Sequence, residues 1–270
     1  MTRKNETDRV VEAQIEVAAP ADAVWKALTD ARELTRWFPL HARVEPGAGG
    51  SIWLSWEGLY EGESRIQIWE PGRHLRTGWV PAEGADRPDA LELMVDYHIE
   101  SRGDVTVLRI VHSGFGREGQ WDDEYDGVRR GWDFELRSLR HYLENHRGQD
   151  RRAIWIRQPV GAPAVEIWAA LTSPGKMLKD GALDGLGKGD RYAVTLATGD
   201  RLEGIVQIST PPTDFAGTVT SMGNGLFRMG YEDFFQPPEA ILWLSTWGVS
   251  AGEVEAIRGR WQKMLAELLG

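Results

Sequence analysis

The chain has 270 residues, a formal net charge of −10 and no cysteine. The missing thiols exclude disulfides, thiolate nucleophiles and cysteine metal sites, and the acidic balance argues against a broad phosphate-binding surface for nucleic acid, which needs clustered Lys and Arg. Hydrophobic residues at 41% and charged residues at 27% fit a soluble globular protein, long enough for two domains of roughly 130 residues each. No apolar run approaches the ~18 residues of a membrane span, and the first residues lack the apolar core of a signal peptide. The expected compartment is the cytoplasm.

In chain order, Val11–Val17 alternates and predicts a first strand. Pro20 then opens a helix whose apolar stripe includes Val24 and Leu28 beside Trp25. A second short helix is expected over Arg32–Phe38, stopped by Pro39. Strands follow near Arg43–Glu45 and over Ser51–Glu57, Tyr60–Glu70 and His74–Val80, with turns at Gly47–Gly50 and Pro71-Gly72. A polar loop, Pro81–Pro88, precedes Leu91–Glu100, which presents Leu91, Leu93, Val95, Tyr97 and Ile99 on one face. Val105–His112 completes the sheet. Tyr125, Val128, Trp132, Leu136, Leu139 and Leu143 step by three or four along a long closing helix. Acids at 122–124 and 126 suit its N-terminal dipole. Asn145–Arg152 is polar and reads as a linker.

The order then repeats. Pro20-Ala-Asp-Ala-Val-Trp-Lys-Ala-Leu-Thr29 returns as Pro163-Ala-Val-Glu-Ile-Trp-Ala-Ala-Leu-Thr172. Strands are expected at Ala153–Gln158, Asp190–Ala197, Arg201–Thr210, Asp214–Thr220, Leu226–Phe235 and Ala240–Trp247, before a helix carrying Val254, Ile257, Trp261, Leu265 and Leu268. One supersecondary unit is used twice, so two domains are expected, residues 1–147 and 152–270. Each should read strand, two short helices, about six strands and a long helix, an α+β arrangement. The second copy is shorter between its ends, and the loop before Leu91 is the expected place of the difference.

Five segments carry a family resemblance. They are Ile15–Thr29, Arg36-Trp-Phe-Pro39, Trp69-Glu-Pro-Gly-Arg73, His112-Ser-Gly-Phe115 and Tyr125–Trp132. In order and spacing they resemble the SRPBCC (START-like, Bet v 1-like) superfamily, and within it the branch named after the activator of Hsp90 ATPase. The resemblance implies two helix-grip modules, each a curved antiparallel sheet wrapped around a long C-terminal helix, with an apolar cavity. Such relatives bind lipids, polyketides or other hydrophobic small molecules. Some act as aromatases or cyclases, and others bind a chaperone. The second half departs from the pattern: Gly175-Lys-Met-Leu178 stands where Arg36-Trp-Phe-Pro39 would recur, and Leu244-Ser-Thr-Trp247 replaces His112-Ser-Gly-Phe115.

The leading expectation is a hydrophobic small molecule bound in the first module. The candidate wall is Trp37, Phe38, Trp53, Trp56, Trp69, Trp79, Phe115, Trp121, Tyr125 and Trp132. These rings either stack a guest or fill the space themselves. Trp53 and Trp56, three apart on a strand, face opposite sides, so at most one lines the cavity. The alternatives are an aromatase/cyclase-type enzyme using His112 or Tyr97 to move protons, or a chaperone-binding module. His98 shares a strand face with Asp96 and Glu100 and is read as solvated. No histidine pair has metal-helix spacing, so no metal site is expected, and no motif calls for a cofactor. The glycine-rich Gly181–Gly189 lacks the spacing of a phosphate loop and is read as an ordinary loop.

Overall fold

A computed structural model describes residues 9–57, 60–79, 93–116, 119–233 and 237–270. The chain divides into two compact units, residues 1–148 and 149–270. The first runs β1 (Arg9–Val17), α1 (Ala21–Thr29), α2 (Ala31–Thr35), β2 (His41–Glu45), β3 (Ser51–Trp56), β4 (Tyr60–Glu70), β5 (His74–Trp79), β6 (Met94–Arg102), β7 (Val105–Phe115) and α3 (Asp122–Asn145). The second runs β8 (Arg151–Pro159), α4 (Ala164–Thr172), β9 (Leu178–Asp180), β10 (Arg191–Leu196), β11 (Arg201–Thr210), β12 (Asp214–Val219), β13 (Gly225–Glu232), β14 (Glu239–Trp247) and α5 (Ala251–Leu269). Among the described residues each unit holds a seven-stranded antiparallel sheet, ordered β1-β7-β6-β5-β4-β3-β2 and β8-β14-β13-β12-β11-β10-β9. The fold is α+β, a helix-grip arrangement in tandem.

Local chemistry explains the elements. Pro20 and Pro163 precede α1 and α4 with nearly the same extended backbone, φ −63° and −61°. Asp30 caps α2 by accepting from the N–H groups of Arg32 and Glu33 at 2.9 and 3.0 Å. In α3 the buried stripe is Trp132, Leu136, Leu139 and Leu143, joined by Phe134 and Tyr142. Gly50 has no room for a side chain, because a Cβ there would meet the Glu45 carbonyl oxygen at 2.0 Å.

Two expectations change and a third is untested. The second short helix ends at Thr35, before Trp37 and Phe38; residues ahead of a proline are steered out of the helical region, and Pro39 follows directly. Among the described residues the second unit has one short helix rather than two. There, glycines at 175, 181, 185 and 189 all adopt positive φ, so the segment turns and forms β9 instead of coiling. The loop Pro81–Pro88, the proposed place of the length difference, lies outside the described residues.

Candidate functional site

The first unit gathers aromatic rings around Trp132 of α3, a buried residue. Trp37 is pinned by two bonds. Its indole N–H donates to the Ala27 carbonyl at 2.8 Å, and its own carbonyl accepts from the Ser138 hydroxyl at 2.7 Å. The segment after α2 is thereby tied to both α1 and α3, and Phe38 is held over the sheet. Phe38 stacks on Trp37 (centroids 4.9 Å apart) and on Trp132 (5.7 Å), and meets Trp56 edge-on at 5.0 Å. Tyr97 of β6 meets Trp132 edge-on at 6.0 Å.

The far wall depends on an irregularity in β7. On the β1 side, Val11 pairs with His112 while Arg9 pairs with Phe115, so β7 carries one extra residue there. Gly114 takes φ +97° within that bulge, a conformation that favours glycine. Residues three apart on a regular strand would point to opposite faces. Here the His112 and Phe115 rings lie 4.9 Å apart. Phe115 in turn contacts Tyr125 at 5.5 Å and Trp121 at 6.5 Å.

Polar groups on this wall are sparse and fixed. The Trp132 indole N–H donates to His112 Nδ1 at 3.1 Å. An indole can only donate, so Nδ1 must be the bare acceptor and the imidazole proton sits on Nε2. Burial pushes His112 down to about 4, so the ring is neutral at pH 7. No described residue bonds His112 Nε2 or the Tyr97 hydroxyl. Burial also raises the Tyr97 phenol above its ordinary range, so it stays protonated. Phe38, Trp56, His112 and Tyr125 are half-buried, whereas Trp37, Phe115, Trp121 and Trp132 are buried.

The structure thus brings Trp37, Phe38, Trp56, Tyr97, His112, Phe115, Trp121, Tyr125 and Trp132 into one linked set. Trp53 is apart from it. It points to the other face of β3, under the Arg43 guanidinium at 3.7 Å. Trp69 pairs edge-on with Trp25 of α1 at 5.0 Å. Trp79 ends β5, and its side chain lies outside the described residues. Two features escape sequence reasoning. One is the grouping of His74, Asp96 and His98 on two strands. The other is an open groove of about 400 Å³ in the second unit, lined by Lys176, Thr198, Arg260, Lys263, Met264 and Leu268 among others. Neither has a linear signal, since each joins segments far apart in the chain.

Residues 18–144 match the family described as Activator of Hsp90 ATPase homolog 1-like protein. The match spans nearly all of the first unit, which is similar to that family. Its members sit within the SRPBCC superfamily, in keeping with the tandem helix-grip fold. A search of curated proteins finds no match. Solved structures with some likeness include DynU16, a putative protein in the dynemicin biosynthetic locus, at 19% identity over 96% of both chains with a TM-score of 0.44. The di-domain ARO/CYC BexL from the BE-7585A biosynthetic pathway shows 16% identity over 97% of this chain and 98% of its own, with a TM-score of 0.45. The Aha1 dimer from Colwellia psychrerythraea shows 19% identity over 52% of this chain and 99% of its own, also with a TM-score of 0.45. No described helix is long and apolar enough to cross a membrane.

Proposed function

We propose that the first unit binds a flat hydrophobic small molecule against the half-buried rings of Phe38 and Trp56, with His112 and Tyr97 as its polar anchors. The observation that carries this reading is the Trp132–His112 bond. It fixes the imidazole as a neutral donor whose Nε2–H is left for a guest, on a wall otherwise made of rings. Apolar walls with few, oriented polar groups are the usual chemistry of small-molecule sites. Burial of ~300 Å² of apolar guest surface would supply about 7 kcal/mol before association costs. The family that the unit resembles is compatible with such a role. A neutral histidine held at about 4 is a weak base at pH 7, so its proposed part is hydrogen-bond donation to an acceptor on the guest rather than proton abstraction.

The test titrates the full chain with flat polycyclic aromatics carrying a carbonyl and, in parallel, with linear fatty acids. Binding is followed by tryptophan emission and thermal melting. Saturable quenching and a raised melting temperature with the flat compounds are expected, weakened several-fold in His112→Ala. Absence of any saturable response across both classes would sink the proposal.

A further inference from the structure

On the opposite face of the same sheet, three side chains converge that the aromatic site does not use. β5 and β6 pair so that His74 stands directly across from His98, and Arg76 across from Asp96. Asp96 and His98, two apart on β6, share the face turned away from buried Tyr97 and Ile99. The two imidazoles stack at 4.3 Å with planes 26° apart. His74 Nε2 lies 2.6 Å from Asp96 Oδ1. One donor atom from each of the three residues falls within 4.8 Å of the others. Asp96 itself is only 6% exposed, so the carboxylate is held at the base of the cluster rather than free in solvent.

We propose that His74, Asp96 and His98 form a binding site for a divalent transition-metal ion, with zinc as the fitting case. Two imidazole nitrogens and one carboxylate oxygen are a donor set that zinc takes at about 2.0–2.2 Å, leaving a fourth position for water. Magnesium and calcium favour all-oxygen shells and fit this set poorly. Donor atoms around a tetrahedral ion with such bonds stand roughly 3.3 Å apart. The His74–Asp96 contact must therefore open slightly and the widest separation must close. Rotation about the terminal torsions of His and Asp, which are broad, covers changes of that size. Strand pairing fixes the Cα positions, so the site is largely assembled beforehand.

The surrounding charges shape the site. Arg76 donates to Asp96 Oδ1 at 2.8 Å, and His74 meets the same oxygen, so among the described residues no group bonds Oδ2. Arg76 then orients the carboxylate from outside the metal's own ligands. Arg109, across from His98 on β7, is answered by Glu12 at 3.0 Å.

The experiment uses the full chain stripped with chelator. Zinc is titrated by calorimetry and cobalt(II) by visible absorption. The expected result is saturation at one equivalent, with visible cobalt bands from nitrogen and oxygen ligands and a higher melting temperature in zinc. His74→Ala/His98→Ala should bind at least tenfold more weakly, and Asp96→Asn should also weaken binding. His141→Ala, at the end of α3, should bind as the parent does. Should the double variant fold poorly, the single changes His74→Gln and His98→Gln serve instead, each expected to lose affinity without loss of structure. No saturable zinc binding, or affinity in the histidine variants within threefold of the parent, would overturn the site.

Discussion

The two units use one sheet order but treat the space beneath their long helices differently. Strand register makes the positions comparable. His112 pairs with Val95 and Val11 in the first unit, and Leu244 pairs with Phe227 and Ile154 in the second. By the same pairing Tyr97 corresponds to Met229, Val95 to Phe227 and Leu75 to Phe215. The second unit thus has leucine and methionine where the first has a histidine and a tyrosine. It also places two phenylalanines where the first has valine and leucine. Phe227 meets Trp261 edge-on at 5.8 Å, and all of Phe215, Phe227, Met229, Leu244 and Trp261 are fully enclosed. The tryptophan on the closing helix changes partner as well. Trp132 donates to His112, whereas Trp261 donates to Asp200 Oδ2 at 2.8 Å. Burial alone would raise the Asp200 carboxyl, but hydrogen bonds from Arg260, Thr198 and Trp261 hold it below the ordinary carboxylate range. Register is also regular along β14 to Trp247, without the extra residue that turns Phe115 inward beside His112. The same scaffold therefore gives a ring-lined wall with polar groups in one copy and a filled apolar core in the other.

The strongest way to break this contrast is Phe227→Ala. Removing a fully buried ring should cost about 3–5 kcal/mol, read as a lower denaturant midpoint for the second unit. A loss near 1 kcal/mol would mean that the ring does not fill the space as described. Next is pH. His112 is held at about 4, against 6.5 when unperturbed. Below pH 6.5 the unfolded chain binds a proton that the folded unit refuses, so stability falls as pH drops from 6.5 to about 4, by up to about 3 kcal/mol. It then levels for this group. Denaturant curves at pH 7, 5.5 and 4.5 should show a steeper slope for the parent than for His112→Leu, and equal slopes would refute the assignment.

Val95→Phe gives the first unit the ring that Phe227 supplies in the second. It should weaken binding of a flat guest at least tenfold, about 1.4 kcal/mol, with melting little changed. Unaltered affinity would place the guest elsewhere. The smallest effect is expected on the outer face. Arg43→Ala removes the cation–π contact to Trp53, worth about 0.5–1 kcal/mol at an exposed position. It should leave guest binding as it was, because Trp53 faces away from Trp56.

The sequence read the repeat, the strands and the stripe of α3 well, because these are periodic signals carried by neighbouring residues. Arg201–Thr210 is found with the expected limits, and Trp132, Leu136, Leu139 and Leu143 are buried as the spacing predicts. The opposed faces of Trp53 and Trp56 also follow from strand alternation alone. Less was legible in the second unit after α4, where glycines at positive φ left no periodic pattern to read. His98 is exposed, as its own strand implies, yet its neighbour Asp96 is buried under Arg76 and His74 from the adjacent strand, which strand alternation does not reveal. Burial and those two hydrogen bonds compete there, and the carboxyl is held below its ordinary range.

By itself, then, the amino-acid order determined the doubled α+β plan and which residues turn inward, since both depend on periods of two and 3.6 along the chain. Tertiary structure alone decided which residues meet across the fold. Pairing of His112 with Trp132, of His74 with His98, and of Phe227 with Trp261 is set by strand register and by the seat of each closing helix. Those depend on contacts between residues tens of positions apart, which no local pattern encodes.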